Sequence, residues 1–316
     1  MKIACIGNIT DDLTVSKDEF IKEGGRVSFF EDEVTRTVGG PASNAASVIN
    51  KFNNNEHIID FYGQVGNDAN SEFIKQELLK ENISLKHINF SNNVMTPFSY
   101  IIINKTKNTR TICSTRTRKD YTNAKIESIK FDTDYDFILT DGKYVEDSIE
   151  LIKNNPQAVS IIDAGRVNDG ILKLCQVIDY IICSEDFAST VTGIELGSKA
   201  NDYFAYRKMQ KIFKNAKGIT ITIGERGYIY EENNNVITCP AFIAEKPVID
   251  TNAAGDIFHG AFTYALASNY DYAESLRFAN ITASLSTTKS GGRKSVPELE
   301  EVNTYFKKAK IKLLKN

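Results

Sequence analysis

No part of this 316-residue chain is apolar for long enough to cross a bilayer, and neither sign of charge dominates. Lys and Arg number 38 against 41 Asp and Glu, a formal charge of -3. The first absence excludes a membrane span, and the second excludes the basic footprint of a nucleic-acid or lipid-surface binder. Cys5, Cys113, Cys175, Cys183 and Cys239 are scattered, odd in number and free of any CxxC pair. A disulfide framework is therefore excluded, and reduced thiols in a cytoplasmic protein are expected. His57, His87 and His259 stand far apart with no metal-ligand spacing; His259 reads as a helix-side hydrogen-bonding residue. Internal repeats and low-complexity linkers are also missing, and the asparagine clusters at 53–55 and 233–235 read as surface turns.

What is present suits a large buried core, with 41% hydrophobic and 25% charged residues. The opening MKIACIGNITDD has one lysine, then an apolar run broken by Gly7 and closed by two acids, so it reads as a first strand and not a leader. Further runs predict strands in HIIDFYG, at 136–141, and in AVSIIDAG, VIDYIICS and GITITIG, with amphipathic helical stretches between them. Such alternation predicts a doubly wound, mainly parallel α/β sheet flanked by helices. Two segments break it, Leu13 to Val38 and Thr96 to Thr117. In the second, FSYIIIN and TRTICST flank KTKN as an antiparallel hairpin would, and together they predict a small β lid.

The densest chemistry lies in Asp250 to Gly260, DTNAAGDIFHG. Ile257, Ala261 and Ala265 share one helical face and Phe258, Phe262 and Leu266 the next, so a buried helix begins near Gly255. The amides of Ala253, Ala254, Gly255 and Asp256 then lack intrahelical partners and, with the positive end of the macrodipole, form an anion cradle. Asp256, expected to be ionised at pH 7, is placed to accept the proton of a hydroxyl attacking a phosphorus held there. The alternative for a lone first-turn Asp is a helix cap.

DTNAAGD resembles the C-terminal signature D-T-x-[GA]-A-G-D of the PfkB, or ribokinase-like, carbohydrate kinases. Val38 to Ala46, VGGPASNAA, resembles the family's N-terminal signature: Gly39 and Gly40 permit close approach to a ligand, Pro41 suits the first helical position, and Asn44 can reach sugar hydroxyls. GQVGND at 63–68 resembles an architectural strand-to-helix turn of the family. TITIGERG at 220–227, including Thr222, resembles its nucleotide loop, with Gly224 and Gly227 letting ATP approach. By position after Gly7, Asp12 matches the family aspartate that binds sugar hydroxyls, with Asp11 its neighbour. Asn280 falls near the expected adenine site, and the lid of the family is built from the same two places as here.

One departure concerns magnesium. The family's N-x-x-E has Ser184 and Phe187 at its Asn and Glu positions, leaving Glu185 to act on Mg²⁺ through water. Ser184 with Glu185, DGK at 141–143, DAGR at 163–166 and GGRKSVP at 291–297 resemble the ketohexokinase and sulfofructose-kinase side of the family. SGGRKS at 290–295 does not meet the P-loop spacing, which excludes a Walker-type ATPase. The resemblance implies one ribokinase-like domain over 1–316 that transfers the γ-phosphate of MgATP to a hydroxyl of a small sugar, a ketohexose or derivative. Asp256 is the expected base beside Ala253, Ala254 and Gly255. Asp12, Gly39, Gly40 and Asn44 hold the sugar, and Ser184, Thr222, Gly224, Gly227 and Asn280 the nucleotide. Arg110 either closes over substrate or is a solvated surface arginine. Potassium beside Asp250, Asn252 and the 287–295 loop, and a homodimer paired through the lid, are also implied. The alternatives are a ribokinase or nucleoside kinase of the same family, or a non-catalytic sugar or nucleotide sensor.

Overall fold

Strand β1 (Lys2–Ile6) sends Ile3 and Cys5 to one side and Ala4 and Ile6 to the other, and all four are fully buried. A strand buried on both faces belongs in the middle of a sheet covered by helices. The computed structural model, which describes residues 1–18, 24–107, 109–115 and 124–313, shows that arrangement. Residues 19–23, 108, 116 and 117 of the expected lid segments lie outside the described residues.

The large sheet has nine strands. Its order is β13 (Asn235–Cys239), β12 (Tyr228–Glu232), β11 (Gly218–Thr222), β10 (Tyr180–Ser184), β9 (Val159–Ala164), β8 (Phe137–Thr140), β1, β4 (Ile58–Gly66) and β5 (Ile88–Ser91). Strands β11 through β5 are parallel, and the hairpin β12–β13 adds an antiparallel edge. Asn233 and Asn234, both at positive φ, make its turn.

On one face lie α1 (Pro41–Phe52), α7 (Ala254–Ala267), α8 (Tyr272–Ser286) and α9 (Leu299–Leu313), around Phe52, Phe262 and Phe278. The other carries α3 (Val145–Asn154), α4 (Asp169–Cys175), α5 (Glu185–Thr192) and α6 (Lys199–Ile212), around Leu174, Phe187 and Met209. Helix α2 (Ala69–Lys80) follows β4 and is capped by Asp68, which accepts from the amides of Asn70 and Ser71. Each fully buried Phe or Leu of these cores is worth about 1.5–3 kcal/mol, more than any helix propensity difference along the same turn.

A second sheet of four strands, β3 (Val34–Gly39), β2 (Thr10–Lys17), β6 (Phe98–Asn104) and β7 (Thr109–Ser114), stands over the end of the large sheet where β1 exits. Its alternation sorts neighbours to opposite sides. Asp12, Ser99, Ile101, Arg110, Ile112 and Ser114 face a cavity beneath. Asp11, Leu13, Tyr100 and Ile102 belong to the other side, where Arg36 binds Asp11 at 2.9 and 2.6 Å and stacks on Phe73 of α2. Asp11 and Asp12 are thus neighbours in one strand whose side chains part company.

Candidate active site

The order of the large sheet reverses between β1 and β8, and a crevice opens where their carboxyl ends diverge, as open α/β sheets require. A cavity of about 500 Å³ occupies that crevice under the small sheet. Asp141, directly after β8, spans its floor: its carboxylate accepts from the amides of Asn8 at 2.8 Å, Ala42 at 3.2 Å and Lys143 at 3.0 Å. The Ala42 bond pins the first turn of α1 to the sheet. Gly40, the cap of that helix, sits at φ 100°, and a Cβ there would lie 2.2 Å from the carbonyl oxygen of Asn8. Only glycine fits. At Gly39 a Cβ would be 1.8 Å from Asp12 Oδ2, so the diglycine makes room for the aspartate as well as for a ligand.

Helices α1 and α7 cross where Gly260 meets α1; a Cβ on Gly260 would come within 2.6 Å of the Ala45 carbonyl oxygen. One turn earlier on α7 and one residue earlier on α1, that close approach brings Asn44 to Asp256. Asn44 Nδ2 donates to Asp256 Oδ2 at 2.6 Å, while Asn44 Oδ1 is buried without a partner among the described residues. A buried unpaired acceptor costs about 1–3 kcal/mol, and this one belongs to a residue lining the cavity, where a ligand hydroxyl can satisfy it.

Burial, reinforced by Asp163 and Asp141, pushes the Asp256 carboxyl up to about 7, against the opposing influence of Asn44 and His259. A carboxyl so raised is poised near neutral pH. Asp163, the penultimate residue of β9, is itself raised by burial. Its Oδ2 lies 3.4 Å from Nδ1 of His259, which also contacts the Gly255 carbonyl at 2.6 Å, while Nε2 faces the Ile182 carbonyl at 3.2 Å. A carbonyl thus sits opposite each ring nitrogen. His259 is the expected hydrogen-bonding residue, but it ties the start of α7 to β10 beneath the carboxylates.

The turn before α7 puts Ala253 at φ 60°, the left-handed region, as the helix cap. The amides of Ala253, Gly255 and Asp256 have no partner among the described residues. That of Ala254 is spent on the Thr251 carbonyl at 3.3 Å, which removes it from the expected cradle. Asp12 faces the cavity, takes a hydrogen bond from Thr10 at 2.8 Å, and is raised by burial.

The cavity gathers Asp12, Gly39, Gly40, Asn44, Arg110, Asn252, Ala253 and Asp256, with Gly255 and Ala254 just beyond it on the same turn. The remaining expected residues sit elsewhere on the same rim. Ser184 and Thr222 pair at the ends of β10 and β11; Ser184 caps α5 through the Phe187 amide, and Thr222 Oγ1 donates to the Cys183 carbonyl. Gly224 has open space around it. Gly227 does not: a Cβ there would lie 2.0 Å from the Cys239 carbonyl, so this glycine serves the chain's own crossing over β13. Asn280 spends both ends of its amide on the Pro240 carbonyl and the Phe242 amide, holding that segment in place. Glu185 is paired with Arg226 at 2.6 Å and is not a free carboxylate for a metal. Asp250 accepts from the amides of Asn252 and Gly291, joining the 250–252 turn to the loop beyond α8.

A family model for the pfkB family carbohydrate kinases matches residues 1–299. The chain belongs to that family. It is 26% identical to a ribokinase of Lactococcus lactis subsp. lactis, with 99% of each chain covered. Its fold is similar to that of a ribokinase from Giardia lamblia, with a TM-score of 0.79 at 20% identity over 96% of this chain and 99% of the other. It is likewise similar to Arabidopsis thaliana ribokinase in complex with ribose and ATP, with a TM-score of 0.78 at 21% identity over 97% and 98%. The ribokinase-like fold and a phosphotransferase acting on a sugar hydroxyl are thereby established.

Three residues of this carbohydrate kinase were legible in its sequence only as family markers, inside DGK, DAGR and GGRKSVP. Asp141 and Asp163 are the carboxylates described above. Arg293, 5% exposed, lies in a 3-10 turn (Gly292–Ser295) and donates to the Val38 and Ser43 carbonyls, Ser43 Oγ and Glu81 Oε2. It fastens the loop beyond α8 to the diglycine turn. The available signal was position: Asp141 directly follows β8 and Asp163 is the penultimate residue of β9, both at the strand end where ligands bind.

Proposed function

We propose that this kinase transfers the γ-phosphate of ATP to a hydroxyl of a ketohexose or ketohexose derivative, with Asp256 as general base. The observation that supports it most directly is the pairing of Asp256 with Asn44 at a helix start whose free amides open beside the same cavity. The acceptor hydroxyl lies against Asp256, positioned by Asn44 Oδ1 and by Asp12. As its oxygen attacks the γ-phosphorus, the bond from that phosphorus to the bridging oxygen of ADP breaks and the hydroxyl proton passes to Asp256. Negative charge building on the phosphoryl oxygens is met by the amides of Ala253, Gly255 and Asp256. A base whose proton affinity lies near the working pH is well matched to that transfer.

The nucleotide runs from this turn along the ends of β10 and β11, past Ser184, Thr222 and Gly224, with Asn280 supporting the wall behind it and Gly227 shaping the turn. Glu185 is engaged by Arg226, so a Mg²⁺ brought in with the nucleotide would be held chiefly by the phosphates and would supply charge neutralisation there. The small sheet acts as a lid that closes with Arg110 over the sugar and excludes water. Lys143 and Arg166 line the same cavity with no ion-pair partner among the described residues, which suits a substrate or nucleotide bearing negative charge. The enzyme works as a cytoplasmic homodimer. The ribokinase relatives favour a second reading, ribose as the acceptor. ADP release measured across ketohexoses, aldopentoses and nucleosides separates the two, since a higher kcat/KM for ribose or adenosine would refute the ketohexose assignment. Asp256→Asn should lower kcat by about 10² to 10⁴ while the protein stays folded; retention of more than half the wild-type rate would remove Asp256 from the mechanism.

A further inference from the structure

On the other side of β4 from the α1 helix, three metal-ligating side chains from distant parts of the chain converge. Asp60 lies within β4, His87 immediately precedes β5, and Asp132 lies in the loop leading to β8. None of the three lines the kinase cavity. His87 Nε2 stands 3.7 Å from Asp60 Oδ1 and 3.4 Å from Asp132 Oδ2. The imidazole is 7% exposed, and its Nε2 is buried with no hydrogen-bond partner among the described residues. These separations are too long for N–H···O hydrogen bonds. They do match the edges of a coordination tetrahedron, which come to roughly 3.4 Å for metal–nitrogen and metal–oxygen bonds of about 2.1 Å.

The surroundings orient each ligand as a built metal site does. The amide of Asp132 donates to Tyr62 Oη at 3.0 Å, and Tyr62 Oη shares a 2.7 Å bond with Tyr135 Oη, which donates to Asp60 Oδ2 at 2.7 Å. That relay fixes the hydroxyl directions and occupies one oxygen of Asp60, leaving Oδ1 turned toward His87. The Tyr62 ring stacks on the imidazole with centroids 4.4 Å apart. Two cations compete for Asp132 Oδ2, Lys86 at 2.7 Å and Lys2 at 3.8 Å. Lys86 is 62% exposed and can yield its place to a divalent ion at little cost.

We propose that Asp60, His87 and Asp132 form a site for a first-row divalent cation of the zinc class, with water completing its coordination. One imidazole with two carboxylates favours such an ion over magnesium, which prefers an all-oxygen octahedron. The ion would pin the β4–β5 edge to the loop before β8, away from the chemistry.

The test uses the full chain, stripped with chelator and titrated with Zn²⁺ alone against a competing indicator. One equivalent should bind at micromolar concentration or tighter, and Zn²⁺ should raise the unfolding temperature. His87→Gln and, separately, Asp132→Asn, at a half-buried loop position, should each weaken binding roughly 10- to 100-fold and abolish that thermal shift. Asp256→Asn and Cys113→Ser should bind as the wild type does. Absence of micromolar binding would overturn the proposal, as would equal affinity in wild type and both site variants. Loss of binding in Asp256→Asn or Cys113→Ser would place the ion elsewhere and overturn it equally.

Discussion

Asn44 and Asp256 are 212 positions apart in the chain and 2.6 Å apart in space, joined by a hydrogen bond from Nδ2 to Oδ2. The bond turns one carboxylate oxygen toward α1 and leaves the other without a hydrogen bond among the described residues. It also fixes the direction of the Asn44 amide, so the unpartnered Oδ1 becomes the acceptor offered to a ligand. The sugar-side signature and the phosphate-side signature are therefore one hydrogen-bonded unit.

The raised proton affinity of Asp256 predicts opposite pH trends for rate and stability. As a base it must be deprotonated, so kcat/KM should rise tenfold per pH unit below about 7 and level off above it. A buried carboxyl whose folded value exceeds its unfolded value binds more protons when folded. Its contribution to stability therefore falls as pH climbs from the ordinary carboxylate range through about 7. Asp256→Asn should lose activity yet unfold at higher urea than wild type at pH 8, with the gap closing at pH 5. Equal midpoints at pH 8 would show that ionised Asp256 costs nothing.

Arg293→Ala should cost about 3 kcal/mol, because it strands buried carbonyls and leaves Glu81 without its cation. Since Arg293 braces the diglycine turn, KM for the sugar should also rise. Urea midpoints within experimental error of wild type would contradict this role.

Potassium should accelerate the reaction over a bulky organic cation at equal ionic strength. Asp250 ties the turn ahead of α7 to Gly291, and an ion seated among Asp250, Asn252 and the 287–295 loop would stiffen the amides that meet the phosphate. The activation should vanish in Asp250→Asn. Identical rates in both salts for the wild type would dismiss the site.

Leu13, Tyr100 and Ile102, on the side of the small sheet away from the cavity, are only half-buried, and Val34 beside them is 38% exposed. Pairing of two lids would cover that face and hide its strand edges. Sedimentation with sugar and nucleotide bound should give a dimer, and Ile102→Lys a folded monomer. A wild-type monomer at micromolar concentration would defeat the idea.

The parallel strands were legible because their apolar runs are continuous, and the two signatures because small residues crowd around single functional side chains. The hairpin β12–β13 was missed although Asn233 and Asn234 mark its turn, since YIYEE and NVITC are polar enough to pass for loop. The resemblance assigned Gly227 and Asn280 to the nucleotide and gave no sign of the contacts each makes within its own chain. Gly227 and Asn280 turned out to serve the chain's own packing, and no spacing rule could have linked His87 to Asp60 and Asp132. The grouping of His87 with Asp60 and Asp132 exists only once β8, β1, β4 and β5 are laid in that order in one sheet.

The parting of Asp11 and Asp12 makes this short run of sequence intolerant of changes in length. β2 alternates, so inserting or deleting one residue between Gly7 and Asp12 would exchange the two acids. The carboxylate bound to Arg36 would be carried into the cavity, and the cavity's own would be buried against α2. Composition and charge would barely change, and every motif downstream would read as before. The enzyme would nonetheless hold the wrong aspartate at its sugar, so variation here is confined to substitution.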